Sequence, residues 1–76
     1  MTKYSVDSKE MGKILRQLRG DKSVDKVATD LEISPSALRM YEDGERVPRD
    51  QIKVRICNYY NKSPISIFFA KDTHSS

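Results

Sequence analysis

The sequence predicts an all-α protein, a compact five-helix bundle built around a central pair of short helices joined by a tight turn. Three observations carry the prediction. Apolar residues recur at three- and four-residue spacing in successive stretches, the period of a helix with one buried face. No stretch shows the two-residue alternation of a strand. Serine, proline, asparagine and glycine stand between the stretches where helices start and stop. With 76 residues, the chain is read as one domain over 1–76, with a core of 8–70 between short tails. It lies near the lower size limit for folding on one apolar core without covalent staples.

The elements follow in order. Asp7 or Ser8 caps a first helix, and Asp7 with Glu10 has capping-box spacing. Met11, Ile14, Leu15 and Leu18 fall on one face of it, and Gly20-Asp21 ends it. Ser23 is a good cap for the second helix, whose buried stripe is Val24, Val27, Ala28 and Leu31. Ala28 is small enough to let a neighbouring helix approach closely. Glu32-Ile33 forms the turn, with Ile33 as an apolar plug. Ser34 caps a third helix, and Pro35 sits in its first turn, where a missing N–H costs nothing. Gly44 suits the left-handed position that ends it. After the loop Glu45–Arg49, Asp50 is the expected cap of a fourth helix carrying Ile52, Ile56, Tyr59 and Tyr60, with Val54 and Cys57 flanking. Asn61-Lys62 breaks the pattern. Ser63-Pro64 starts a short fifth helix with Ile65, Ile67, Phe68 and Phe69, and residues 71–76 read as a frayed tail.

Composition excludes more than it assigns. The one cysteine, Cys57, rules out an intramolecular disulfide, and no Cys/His set has metal-site spacing. The only histidine, His74, lies in the polar tail, and no glycine-rich phosphate loop is present. Asp25, Glu42 and Asp50 have cap or pairing roles that account for them, so neither an enzyme nor a cofactor or metal is expected. No apolar run approaches a membrane span and no secretory leader is evident, which points to a reducing, cytoplasmic setting. The net charge of +3, from 14 basic against 11 acidic residues, permits a polyanionic partner without demanding one.

At 100° per residue, Leu38 and Tyr41 share the inner side of the third helix. Ser36, Arg39, Met40 and Asp43 share the outer side, with Ala37 at the edge. In a major groove, Ser36, Ala37, Arg39 and Met40 are the side chains suited to base edges: a hydroxyl, two apolar groups fit for a thymine methyl, and a guanidinium for guanine or phosphate. Ser23 with the adjacent free N–H groups, and Arg46 and Arg49 just past the third helix, are the candidates for phosphate. Asp43 suits phosphate poorly and is read as a restraint on a neighbouring basic side chain.

In this order and spacing, GKILRQLR, SVDKVATDLEIS, PSALRMYEDG, GERVPRD and NKSPISIFF resemble the Cro/C1-type, or XRE, helix-turn-helix family over roughly Met11 to Phe69. The resemblance implies a lambda-repressor-like fold whose second and third helices read double-stranded operator DNA, often as a two-fold dimer on a palindrome. Ala28, Leu38, Glu42 and Gly44 match the family's small, apolar and closing positions. In the family the glutamate commonly pairs with an arginine of the first helix, which makes Arg16 and Arg19 the candidates here and Glu42 an organiser of the site. There are departures. Val24 stands where glutamine often braces the interface. Glu32 replaces the turn glycine, so helical or bridge-like angles are expected there rather than a positive φ. Pro35 offers no donor at a base-contact position, and the first corner is about two residues short.

The expected function is therefore a transcriptional regulator, a repressor on a palindromic operator, without chemistry of its own. A weak homodimer is expected through a C-terminal apolar surplus drawn from Tyr59, Tyr60, Ile65, Phe68 and Phe69. The rival reading is an antitoxin or other protein-interaction module that binds DNA weakly and needs a protein partner. A membrane partner is not expected.

Overall fold

The computed structural model describes residues 8–68. Within them the chain forms five α-helices and no strand: α1 (Ser8–Arg19), α2 (Val24–Leu31), α3 (Pro35–Asp43), α4 (Asp50–Tyr60) and α5 (Pro64–Phe68). Every helix contributes to one core. Met11 and Leu15 come from α1, Val27, Ala28 and Leu31 from α2, Leu38 and Tyr41 from α3, Ile56 and Cys57 from α4, and Ile67 and Phe68 from α5. Full burial of a side chain of this kind stabilises by about 1.5–3 kcal/mol. A chain this short therefore depends on each of them.

The helix ends explain why the elements stop where they do. Ser23 and Ser34 have extended backbones, and each hydroxyl oxygen accepts a hydrogen bond at 3.0 Å, from the N–H of Lys26 and of Ala37. Three helices then close in the same way, with one residue in the left-handed region and two crossed backbone bonds. After α2, Glu32 N–H donates to Thr29 O and Ile33 N–H to Ala28 O; after α3, Gly44 N–H donates to Tyr41 O and Glu45 N–H to Met40 O. After α4, Asn61 N–H donates to Asn58 O and Lys62 N–H to Cys57 O. This is the Schellman arrangement, which satisfies the last carbonyls of a helix.

Four sequence expectations are corrected. Glu32 does not use helical or bridge angles: it sits at φ 63°, ψ 39°. Closing α2 this way requires a positive φ at that position, and the motif imposes it on a residue with a Cβ. Asp50 is not the cap of α4. Arg49 is, with an extended backbone and no side-chain cap hydrogen bond, and Asp50 is the first helical residue. The C-terminal apolar surplus is largely consumed: Phe68 is buried and Tyr59 and Tyr60 pack on the core, which leaves Ile65 exposed. Cys57 is core rather than flanking, and Val54 is exposed. The expected cap Asp7, Phe69 and His74 lie outside the described residues.

Candidate nucleic-acid interface

Burying Leu38 and Tyr41 fixes how α3 is rolled on the bundle. Ser36, Arg39 and Asp43 are consequently exposed, while Ala37 and Met40 are half-buried, Ala37 packed against the core. Three of the four proposed base-facing positions (Ser36, Arg39 and Met40) thus present an accessible stripe, and Ala37 offers only an edge of its methyl. Arg39 makes no ion pair among the described residues.

The end of α3 is anchored to α1 by charge. Arg19 holds Glu42 with both arms of its guanidinium, Nε to Oε2 at 2.7 Å and an Nη to Oε1 at 2.9 Å. Only 2% of the Glu42 side chain is exposed, so this carboxylate is nearly sealed. Arg19 also donates to the backbone carbonyl of Lys22 at 2.8 Å, which pins the short corner between α1 and α2. The hydrogen bond to Glu42, opposed in part by burial, raises the Arg19 pKa. Arg16 lies farther out, 3.8 Å from Glu42 and 2.8 Å from Asp43. Tyr60 borders this group. Burial first, then the Glu42 charge, pushes its phenol up to about 12, and its hydroxyl has no hydrogen-bond partner among the described residues.

A second set of contacts braces the helix-turn-helix from behind. The Tyr59 hydroxyl donates to Asp30 at 2.7 Å, and Lys22 Nζ lies 5.3 Å over the Tyr59 ring. That hydrogen bond lowers the Asp30 pKa and raises the Tyr59 pKa. Arg55 of α4 donates to the Leu31 carbonyl at 2.9 Å, the last carbonyl of α2. The end of α2 that leads into the turn is thereby tied to α4 by two contacts.

The three proposed phosphate contacts are all exposed. Ser23 is exposed; its oxygen is occupied as a cap, but its hydroxyl proton is free to donate. Arg46 and Arg49 are exposed and make no ion pair among the described residues. With Tyr41, Val47, Gln51 and Ile52 they line an open depression of about 340 Å³. It lies beside the start of α4, where no side chain caps the first N–H groups.

Gly12 and Arg55 escaped the sequence reading. A Cβ on Gly12 would run into the Glu42 carbonyl oxygen, so α1 crosses the end of α3 at backbone contact. A glycine inside a strong helical pattern was the available signal. Arg55 had none, since an arginine between apolar positions on α4 reads as an ordinary surface charge.

Among the described residues, no group of three or more His, Cys, Asp or Glu side chains could hold a metal ion, and no helix is long and apolar enough to cross a membrane. Two short capped helices, an exposed polar stripe on the second and a basic flank define the class: a helix-turn-helix DNA-binding domain, a binding module rather than a catalyst. The helix-turn-helix domain family matches residues 10–64, and the chain belongs to it. The fold is also similar to the crystal structure of the clp gene regulator ClgR from C. glutamicum. The TM-score is 0.70 at 20% identity, over 91% of this chain and 92% of that one. At that identity the likeness speaks for the fold. No curated protein sequence matches significantly.

Proposed function

We propose that this protein is a sequence-specific regulator of transcription that represses by occupying a palindromic operator in double-stranded DNA. The observation that carries the reading is the outer face of α3. It leaves Ser36 and Arg39 exposed and Met40 half-exposed on one side of the helix, and Arg46 and Arg49, exposed and without an ion pair among the described residues, follow in the loop before α4. In this reading α3 enters the major groove. Ser36, Arg39 and Met40 meet base edges, Ala37 touches a thymine methyl at the groove wall, and Ser23, Arg46 and Arg49 hold phosphates. Arg19 and Glu42 keep α3 at its angle, with Arg16 farther out beside Asp43. The gene-regulator description of the similar ClgR structure agrees with this reading.

A single module of this size covers a small stretch of DNA, so tight specific binding calls for two half-sites and a homodimer. Val54 on α4 and Ile65 on α5, each 57% exposed, are the most exposed large apolar side chains among the described residues and are available for such a contact. The test is selection of bound duplexes from a randomised pool at near-physiological salt, followed by comparison of the winner with its scramble. A palindromic winner bound at least about a hundredfold more tightly than its scramble supports the reading, since specific and non-specific binding ordinarily differ by at least about 10³. No enrichment would overturn it and favour the rival, an antitoxin-like module that acts on a protein partner.

A further inference from the structure

The last turn of α3 is charged against its own dipole. It carries Glu42 and Asp43 and no basic residue. Acidic groups at a helix C-terminus face the negative end of the macrodipole and are unfavourable there. Glu42 is repaid by the forked, sealed contact with Arg19. Asp43 is not repaid in that way. Its carboxylate lies 2.8 Å from Arg16, but the two side chains are 51% and 58% exposed. An ion pair that open to water contributes little to stability. Asp43 therefore sits where neither the helix nor the bundle gains from it, at the end of the stripe that also holds Ser36, Arg39 and Met40.

We propose that Asp43 is a selectivity residue: it masks Arg16 and keeps phosphate away from the end of α3, so that binding depends on base contacts rather than on charge. The inference rests on the reading of α3 as the DNA-facing helix. Phosphate neutralisation is what makes a basic domain bind any sequence. Arg16 is the arginine of α1 that projects past Glu42 to the rim of this surface, and Asp43 cancels it there. The carboxylate also repels a phosphate directly, because an exposed charge acts over a Debye length of about 10 Å at 0.1 M salt. The consequence is weak sequence-independent binding, with affinity left to the stripe on α3.

The test is a double-mutant cycle on a random-sequence duplex titrated from 50 to 200 mM salt, with wild type, Asp43→Asn, Arg16→Gln and the double variant. Asp43→Asn is expected to bind about tenfold more tightly at the low-salt end. Its plot of log K against log salt should steepen by about 0.9, the increment for one more phosphate. Arg16→Gln alone should change affinity less than about twofold, whereas in the Asp43→Asn background it should remove most of the gain, leaving only the part due to relief of direct repulsion, a coupling that a general change of net charge does not produce. Unchanged or weaker binding by Asp43→Asn, or an equal loss from Arg16→Gln in both backgrounds, would overturn the proposal. Failure of the operator reading is recorded separately, as a wild type that selects no sequence, and it leaves the cycle on random DNA measurable.

Discussion

Arg19 and Glu42, 23 residues apart in sequence, are locked together by two hydrogen bonds of 2.7 and 2.9 Å. The carboxylate is almost wholly removed from water and the guanidinium largely so, at 2% and 18% side-chain exposure. The pair sets the angle between α1 and α3, and through it the attitude of the outer stripe.

Breaking that pair should cost more than forming it gains. Arg19→Gln leaves a sealed carboxylate without its cation, and loss of one partner of a buried pair costs about 3–5 kcal/mol. Arg16, at 3.8 Å and largely exposed, offers only weak compensation. The expected loss is about 3 kcal/mol by urea denaturation, or a drop in melting temperature of more than about 10 °C for a domain of this size. Glu42→Gln should cost less, because the stranded arginine still reaches the Lys22 carbonyl and some solvent. Equal small losses for both variants would show that the pair is not sealed in solution.

Gly12→Ala should invert the usual rule. In an ordinary helix interior alanine is better than glycine by about 1 kcal/mol. Here the added methyl meets the Glu42 carbonyl oxygen, which belongs to rigid backbone and cannot swing aside. Overpacking of this kind costs about 1–3 kcal/mol. The helices must separate where the Arg19–Glu42 contact is made, so the variant should lose both stability and the salt-bridge geometry. An alanine variant as stable as wild type would contradict the backbone contact.

Glu32→Gly should act in the opposite sense. A side chain at φ 63° is strained by about 1–2 kcal/mol, which glycine avoids. Glycine gives part of that back through its freer unfolded chain. The Glu32 carboxylate contributes little in return, being 3.9 Å from Arg55 and 78% exposed. A net gain of about 0.5–1 kcal/mol in denaturant unfolding is expected. A loss would mean that the Arg55 contact matters more than its exposure allows.

The same residues show what was legible in the sequence. Serine caps, the proline in the first turn of α3 and the apolar spacing are local signals, and they placed all five helices. The inward pair Leu38 and Tyr41 fixed the outer stripe, because a helix with one buried face has only one face left. Glu32 was misread because the Schellman closure is decided by crossed backbone bonds from Ile33, and the sequence shows only an unsuitable residue at the turn. Gly12 and Arg55 depend on partners far away in the chain, Glu42 and Leu31: a glycine inside the α1 pattern hints at a close approach without naming the partner, and Arg55 carries no local signal at all. How the C-terminal apolar residues divide between core and surplus is not legible for a related reason: how much apolar surface a small core needs depends on packing, and packing takes in Phe68, Tyr59 and Tyr60.

Tyr60 makes alkaline pH the sensitive side of the stability profile. Its phenol ionises near 10 in the unfolded chain and is pushed up to about 12 in the fold, by burial first and then by the Glu42 charge. A group whose pKa rises on folding lends stability that is complete below the unfolded value and lost as pH climbs through the folded one. Stability should therefore hold to about pH 10 and fall towards pH 12. Tyr60 is only partly buried, so its own share is at most about 2 kcal/mol after solvent screening. Tyr59 and Cys57, also raised, add losses of the same sign. Tyr60→Phe separates the contributions. It keeps the ring against the core and removes a hydroxyl that has no hydrogen-bond partner, so stability at pH 7 should change by less than about 0.5 kcal/mol or improve. Between pH 10 and 12 the variant should lose less stability than wild type. Denaturation midpoints measured across that range decide the matter: superimposable alkaline limbs for the two proteins would mean that Tyr60 is solvated, and that the seal around Glu42 is open on its side.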